Sequence, residues 1–163
     1  MVEVNAGDFV EFIKPIIERL SREPCRRKAV GRMRSLALEF GNNALQIGSD
    51  LSIPIPGEWR LGSYRGAWRI VQKGRVVCGS HDLVDNLQEL NDKVAALQIG
   101  SVSGIELNSP HDVCVRLSDD THIDFLGIFS DDDELFHLFG PENLFVSYSL
   151  ERGWEVGRAD APT

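Results

Sequence analysis

Up to Leu20 the apolar residues recur at helical spacing, and from about Val30 they alternate as in strands. This change of period, from 3.6 to 2, constrains the fold most, because neither pattern buries one clean face in the other conformation. Phe9, Phe12, Ile13, Ile16, Ile17 and Leu20 form the helical stripe, and Asp8 with Glu11 resembles a capping box at its start. Pro15 lies inside the stripe, so a kink or restart is expected near Lys14. Ser21 to Lys28 reads as a basic connection.

Strand candidates then follow in series. Leu36, Leu38 and Phe40 alternate with Ala37 and Glu39, and Gly41-Asn42-Asn43 supplies turn chemistry before Leu45-Gln46-Ile47. Pro54 and Pro56 mark a loop. Trp59 to Leu61, Ala67 to Gln72 and Arg75 to Cys78 are further strands, the last two joined at Lys73-Gly74. Asp82 to Ala96 suggests a short helix or structured loop. Val102 to Leu107, Asp112 to Leu117 and His122 to Phe129 return to strand spacing. Ser130 and the acids after it look like the cap of a short helix containing Leu135, Phe136 and Leu138. Phe145 to Tyr148 and Trp154 to Val156 complete the set.

The expected fold is therefore α+β: an N-terminal helix on a mostly antiparallel sheet, with a short helix after Ser130. A twofold internal echo is also legible. Ser35 to Asn43 has the rhythm of Asp112 to Asp120, and Ser63 to Ile70 that of Ser147 to Val156. A chain of 163 residues suits a single domain. Within it, residues 1–28 form the helix and connection, 29–157 the sheet-rich body and 158–163 a tail.

Three cysteines fit free thiols in a reducing compartment. The acidic N-terminus lacks a signal-peptide layout, and no apolar run approaches a bilayer span. A cytoplasmic protein is expected, with no membrane partner. The net charge of −8 disfavours nonspecific nucleic-acid binding. That charge is unevenly spread. Lys14 to Arg34 carries eight Lys/Arg against two Glu, for +6. Glu106 to Glu142 carries ten acids against Arg116, for −9.

Several constellations bear on chemistry. Cys78-x-x-His81 and His111-x-x-Cys114 have metal-ligand spacing, but strand residues three apart face opposite sides of a sheet, so no metal or other cofactor is expected. Ser80-His81-Asp82 holds the residue types of a hydrolase triad, yet neighbours in sequence cannot all converge on one reacting atom. No nucleophile elbow, P-loop or dinucleotide glycine fingerprint occurs, and no catalytic residue is assigned. The acids Asp119, Asp120, Asp131, Asp132, Asp133 and Glu134 are the most distinctive polar feature. Consecutive carboxylates repel, so those not used for capping stay solvated or meet a basic partner, and these six are the expected partner-binding residues.

Gly62 to Ile70, with its Trp68-Arg69-Ile70 strand, then Gly79-Ser80-His81-Asp82, Val113 to Phe125 and Gly153-Trp154-Glu155-Val156, resembles small acidic bacterial proteins of the toxin-immunity type, including those of contact-dependent growth inhibition. The likeness spans roughly residues 30–157 and rests on short motifs. It implies a binding protein, not an enzyme, that neutralises a basic toxin domain through an acidic surface. A small-ligand-binding or regulatory domain is the alternative, and an enzyme without a local motif is a third.

Overall fold

The computed structural model describes residues 2–41, 59–130 and 134–158. Its strands, in chain order, are β1 (Val2–Val4), β2 (Cys25–Val30), β3 (Leu36–Phe40), β4 (Trp59–Ser63), β5 (Ala67–Gln72) and β6 (Arg75–Gly79), then β7 (Val102–Ser109), β8 (Asp112–Leu117), β9 (Thr121–Leu126), β10 (Glu134–Phe139), β11 (Leu144–Ser149) and β12 (Gly153–Arg158). Helix α1 (Ala6–Leu20) follows β1, and α2 (Leu87–Ala95) follows β6. The fold is α+β, with an N-terminal helix as expected.

The strands form two antiparallel sheets. One has seven strands in the order β1-β12-β11-β10-β4-β3-β2, the other five in the order β6-β5-β9-β8-β7. Their inner faces follow from alternation. On the five-stranded sheet, Trp68 and Ile70 of β5 pair across to Phe125 and Ile123 of β9, which pair with Val113 and Val115 of β8. On the other, Leu38, Leu61, Leu138 and Val146 lie in one cross-strand row. Phe125 and Phe136 meet edge to face, with ring centroids 5.4 Å apart, and join the two faces into one buried cluster.

Helix α1 packs its apolar stripe into this core. Phe9, Ile13, Ile16 and Leu20 are its buried stripe, and Phe9 stacks on Trp154 of β12 at 3.6 Å between centroids. Its cap is not the Asp8–Glu11 box but Asn5, whose side chain accepts from the Asp8 amide at 2.9 Å. The helix runs on through Pro15, which is exposed, so the carbonyl that lacks a donor there is turned toward water.

Three other expectations need correction. The basic connection is in part strand: β2 begins at Cys25. Its charges are carried because Arg26 and Arg27 both reach Glu39 on neighbouring β3. The helix expected after Ser130 is strand β10, seated between β11 and β4. Phe136, His137 and Leu138 alternate between the two faces yet are all buried, so the strand shows no apolar–polar alternation and hides its period. The twofold echo does not extend to topology either. Ser63 to Ile70 leaves β4 and enters the other sheet at β5, whereas Ser147 to Val156 is the β11–β12 hairpin within one sheet. Leu45-Gln46-Ile47, Pro54 and Pro56 lie outside the described residues.

Candidate functional site

The acidic residues are placed apart. Asp119 and Asp120 form the exposed β8–β9 turn, both at positive φ (64° and 53°), and the Asp120 carbonyl accepts from the Lys73 amide at 2.9 Å. Glu134 starts β10, where its carboxylate is held by Nδ1 of buried His137. Phe136, two residues on, packs against Phe125 near the end of β9, so Glu134 and the Asp119–Asp120 turn sit toward opposite ends of that strand. Asp131, Asp132 and Asp133 lie outside the described residues.

The Cys/His doublets do not assemble. Cys78 pairs with Ile70 on the inner face of the five-stranded sheet, while Cys114 pairs with Asp124 on its outer face. Among the described residues no group of three or more His, Cys, Asp and Glu is arranged to hold a metal ion. Burial, with Asp82 nearby for Cys78 and Asp124 for Cys114, pushes each thiol up to about 11. These are inert, core-type cysteines.

Ser80, His81 and Asp82 diverge, though two of them touch. Ser80 Oγ lies 2.9 Å from His81 Nδ1 and accepts from the Trp68 amide at 3.0 Å. Asp82 turns away to Lys93. Burial works against the Asp82 carboxylate, but the Lys93 ammonium and the Gly79 amide outweigh it and hold its pKa below the usual range.

The outer face of the same sheet holds one buried carboxylate. Asp124 Oδ2 accepts from Arg69 Nε at 2.7 Å, and His122 Nε2 lies 3.6 Å from the same oxygen. A buried charge of this kind needs such partners, and here it braces the sheet surface.

The feature that gathers side chains from the most separate segments is a corner that the sequence did not announce. Among the described strands the chain passes between the sheets twice, from β4 to β5 through Tyr64-Arg65-Gly66 and from β9 to β10 past Ile128 and Phe129. Arg65, Gly66 and Phe129 line one groove of about 420 Å³ together with Met33 and Arg34 from the β2–β3 connection and Ser80 and His81 after β6. Within it, Met33 is 69% exposed and Phe129 45%; their chain neighbours Ile128 and Tyr64, beside Phe129 and Arg65, are exposed too, the Tyr64 ring lying 4.4 Å from His137.

The corner is rigidly built. Met33 and Arg34 both have positive φ (59° and 54°), a costly conformation for side-chain-bearing residues that persists only where the surroundings enforce it. Here the enforcement is visible. Arg34 Nη1 donates to the carbonyls of Ser80 (2.6 Å) and Asp82 (3.0 Å), and the Arg34 carbonyl accepts from Trp68 Nε1 at 2.8 Å. The Ser35 amide closes the turn on the Arg32 carbonyl at 3.0 Å. The clamp holds Met33 outward.

These residues come from four segments of the chain, so no local motif could have revealed them. A hint was available in Met33, Tyr64 and Phe129, apolar residues at breaks between strands where turn chemistry is the rule. No protein-family model matches this chain, and neither a curated protein nor a solved structure gives a significant match.

Proposed function

We propose that this chain is a binding protein of the immunity type, which neutralises a toxin protein by sequestering it at the four-segment corner. The observation that carries the reading is the exposure of Met33 and Phe129 in a groove that Arg34 and Arg65 also line. Aromatic residues, Met and Arg are the types enriched at the centres of protein interfaces, and the clamped Met33–Arg34 turn has little backbone freedom to lose on binding. The toxin-immunity resemblance supplies the kind of partner. The net charge of −8 and the exposed Asp119–Asp120 turn favour faster encounter with a basic toxin, while the corner provides the anchor.

The test is capture of the product of the adjacent upstream gene, by wild-type protein and by a Met33→Asp/Phe129→Asp variant, at low and high salt. Stoichiometric capture by the wild type, loss of capture by the variant at unchanged melting temperature, and loss of growth protection in cells making the toxin would support the reading. Capture and protection that survive both substitutions would overturn the corner as the binding surface.

A further inference from the structure

The loop between β6 and α2 holds Leu83, which at 101% is the most exposed large apolar side chain among the described residues. The loop around it is not slack. On one side the Asp82 amide donates to the Gly79 carbonyl at 3.1 Å, its carbonyl accepts from Arg34 Nη1 at 3.0 Å, and its carboxylate holds Lys93. On the other, Val84 packs against the core and the Asp85 amide donates to Glu89 Oε2 at 3.0 Å. Asn86 caps α2 by accepting from the Glu89 amide at 3.0 Å, and Leu90 and Val94 are the residues that the helix buries. Leu83 therefore has no part in the core or the helix start. Leu87, at the first turn of α2, is 37% exposed. Single exposed leucines are ordinary, and it is the electrostatic setting that distinguishes this pair. From Val76 to Ile105 the chain carries four acids, Asp82, Asp85, Glu89 and Asp92, against one base, Lys93. That base is engaged by Asp82, and among the described residues no Lys or Arg forms an ion pair with Asp85, Glu89 or Asp92.

From this arrangement we infer that Leu83 and Leu87, with the carboxylates of Asp85, Glu89 and Asp92, form a second docking area, and that its occupant is a basic protein segment whose Lys or Arg residues flank an apolar side chain. This deepens the proposed function and rests on the partner being basic. Charge selects the occupant. A second copy of this chain would bring a net charge of −8 to an acidic patch, and an anionic polymer or membrane would be repelled in the same way. Exposed ion pairs alone contribute little, whereas an apolar side chain seated on Leu83 buries surface and screens the pairs beside it from water. The pinned backbone on both sides of Leu83 lowers the cost of ordering it. The area adjoins the corner through the chain itself, because Arg34 bonds the carbonyls of Ser80 and Asp82 on either side of the groove residue His81. One partner can therefore meet both surfaces.

Three peptides, titrated into the ¹⁵N-labelled full chain, test the inference: acetyl-Arg-Lys-Leu-Leu-Lys-Arg-amide, the same peptide with serine for both leucines, and the same peptide with glutamine for all four bases. The expected result is that the first peptide perturbs the amides of Leu83, Asp85 and Leu87, and that each control binds about fivefold or more weakly. Leu83→Ser, at unchanged melting temperature, should erase the advantage over the serine peptide. Asp85→Asn/Asp92→Asn should shrink the advantage over the glutamine peptide. Equal affinity for the first and serine peptides would overturn the inference, since the patch would then attract charge alone. So would the absence of binding, or shifts centred away from Leu83. Capture of the upstream gene product that fails with Met33→Asp/Phe129→Asp and ignores Leu83→Ser would sink this area and keep the corner. The reverse pattern would keep this area and sink the corner.

Discussion

The indole Nε1 of Trp68, a buried residue of the five-stranded sheet, donates at 2.8 Å to the carbonyl of Arg34, which sits in a turn of the seven-stranded sheet. One side chain thus links a core position to the geometry of the exposed corner. Trp68→Phe should keep most of the apolar packing and remove this bond. A stability loss of about 1–3 kcal/mol is expected in urea unfolding, from the lost bond and the smaller ring. The diagnostic readout is amide exchange at Ser35, which should speed up more than exchange at the centre of β5. Uniform acceleration throughout the chain would show that Trp68 serves packing alone.

Gly62 of β4 lies opposite Ala37 of β3. A Cβ at this position would lie 1.8 Å from the Leu36 carbonyl oxygen, which is backbone and cannot swing aside. Gly62→Ala should therefore cost about 3 kcal/mol or more, by prying apart the centre of the seven-stranded sheet. Thermal melting reads this directly. A melting temperature within a degree or two of wild type would mean that the strands separate without penalty.

Cysteine chemistry gives a pH signature. Cys78 and Cys114, held at about 11, should resist iodoacetamide in the folded state at pH 8. Cys25 is only partly buried, and although burial raises its thiol as well, it should be the first to react. The two buried thiols also predict alkaline instability. Their folded pKa lies above the ordinary value near 9, so between roughly pH 9 and 11 the unfolded chain loses protons that the folded chain keeps. Stability should be unaffected by these groups below pH 9 and should fall as pH rises through that window, by at most a few kcal/mol. Cys78→Ala/Cys114→Ala should be less stable at neutral pH, yet lose less between pH 9 and 11.

The Asp119–Asp120 turn offers a clean test of electrostatic steering. Asn tolerates the positive φ of both positions, so Asp119→Asn/Asp120→Asn should fold as the wild type does. Under the proposed function, association with a basic toxin should slow a few-fold at low salt and not at high salt, with little change in dissociation. Identical association rates at both salt concentrations would leave this turn as solvated surface.

Legibility in the sequence followed the physics of alternation. Strand β3 was plain because Leu36, Leu38 and Phe40 are buried while Ala37 and Glu39 are less so. β5 and β8 were plain as well, each closed by a recognisable turn. β2 was hidden because its arginines reach Glu39, an acid that becomes a neighbour only when the strands pair. β10 was hidden because both of its faces are covered, and the acids before it imitate a helix cap. The corner was hidden for a third reason: its members meet only in three dimensions, and their strained turn is enforced by the distant carbonyls of Ser80 and Asp82 and by the Trp68 indole.

The β4–β5 passage at Arg65 and Gly66, and the part of the β9–β10 passage at Phe129, meet at that corner. They are the covalent straps of the sandwich, and any motion that parts the layers has to flex them. A molecule bound across Tyr64-Arg65-Gly66 and Ile128-Phe129 would splint the two straps together. Its imprint would then reach past its own footprint, as slower breathing of both layers at once.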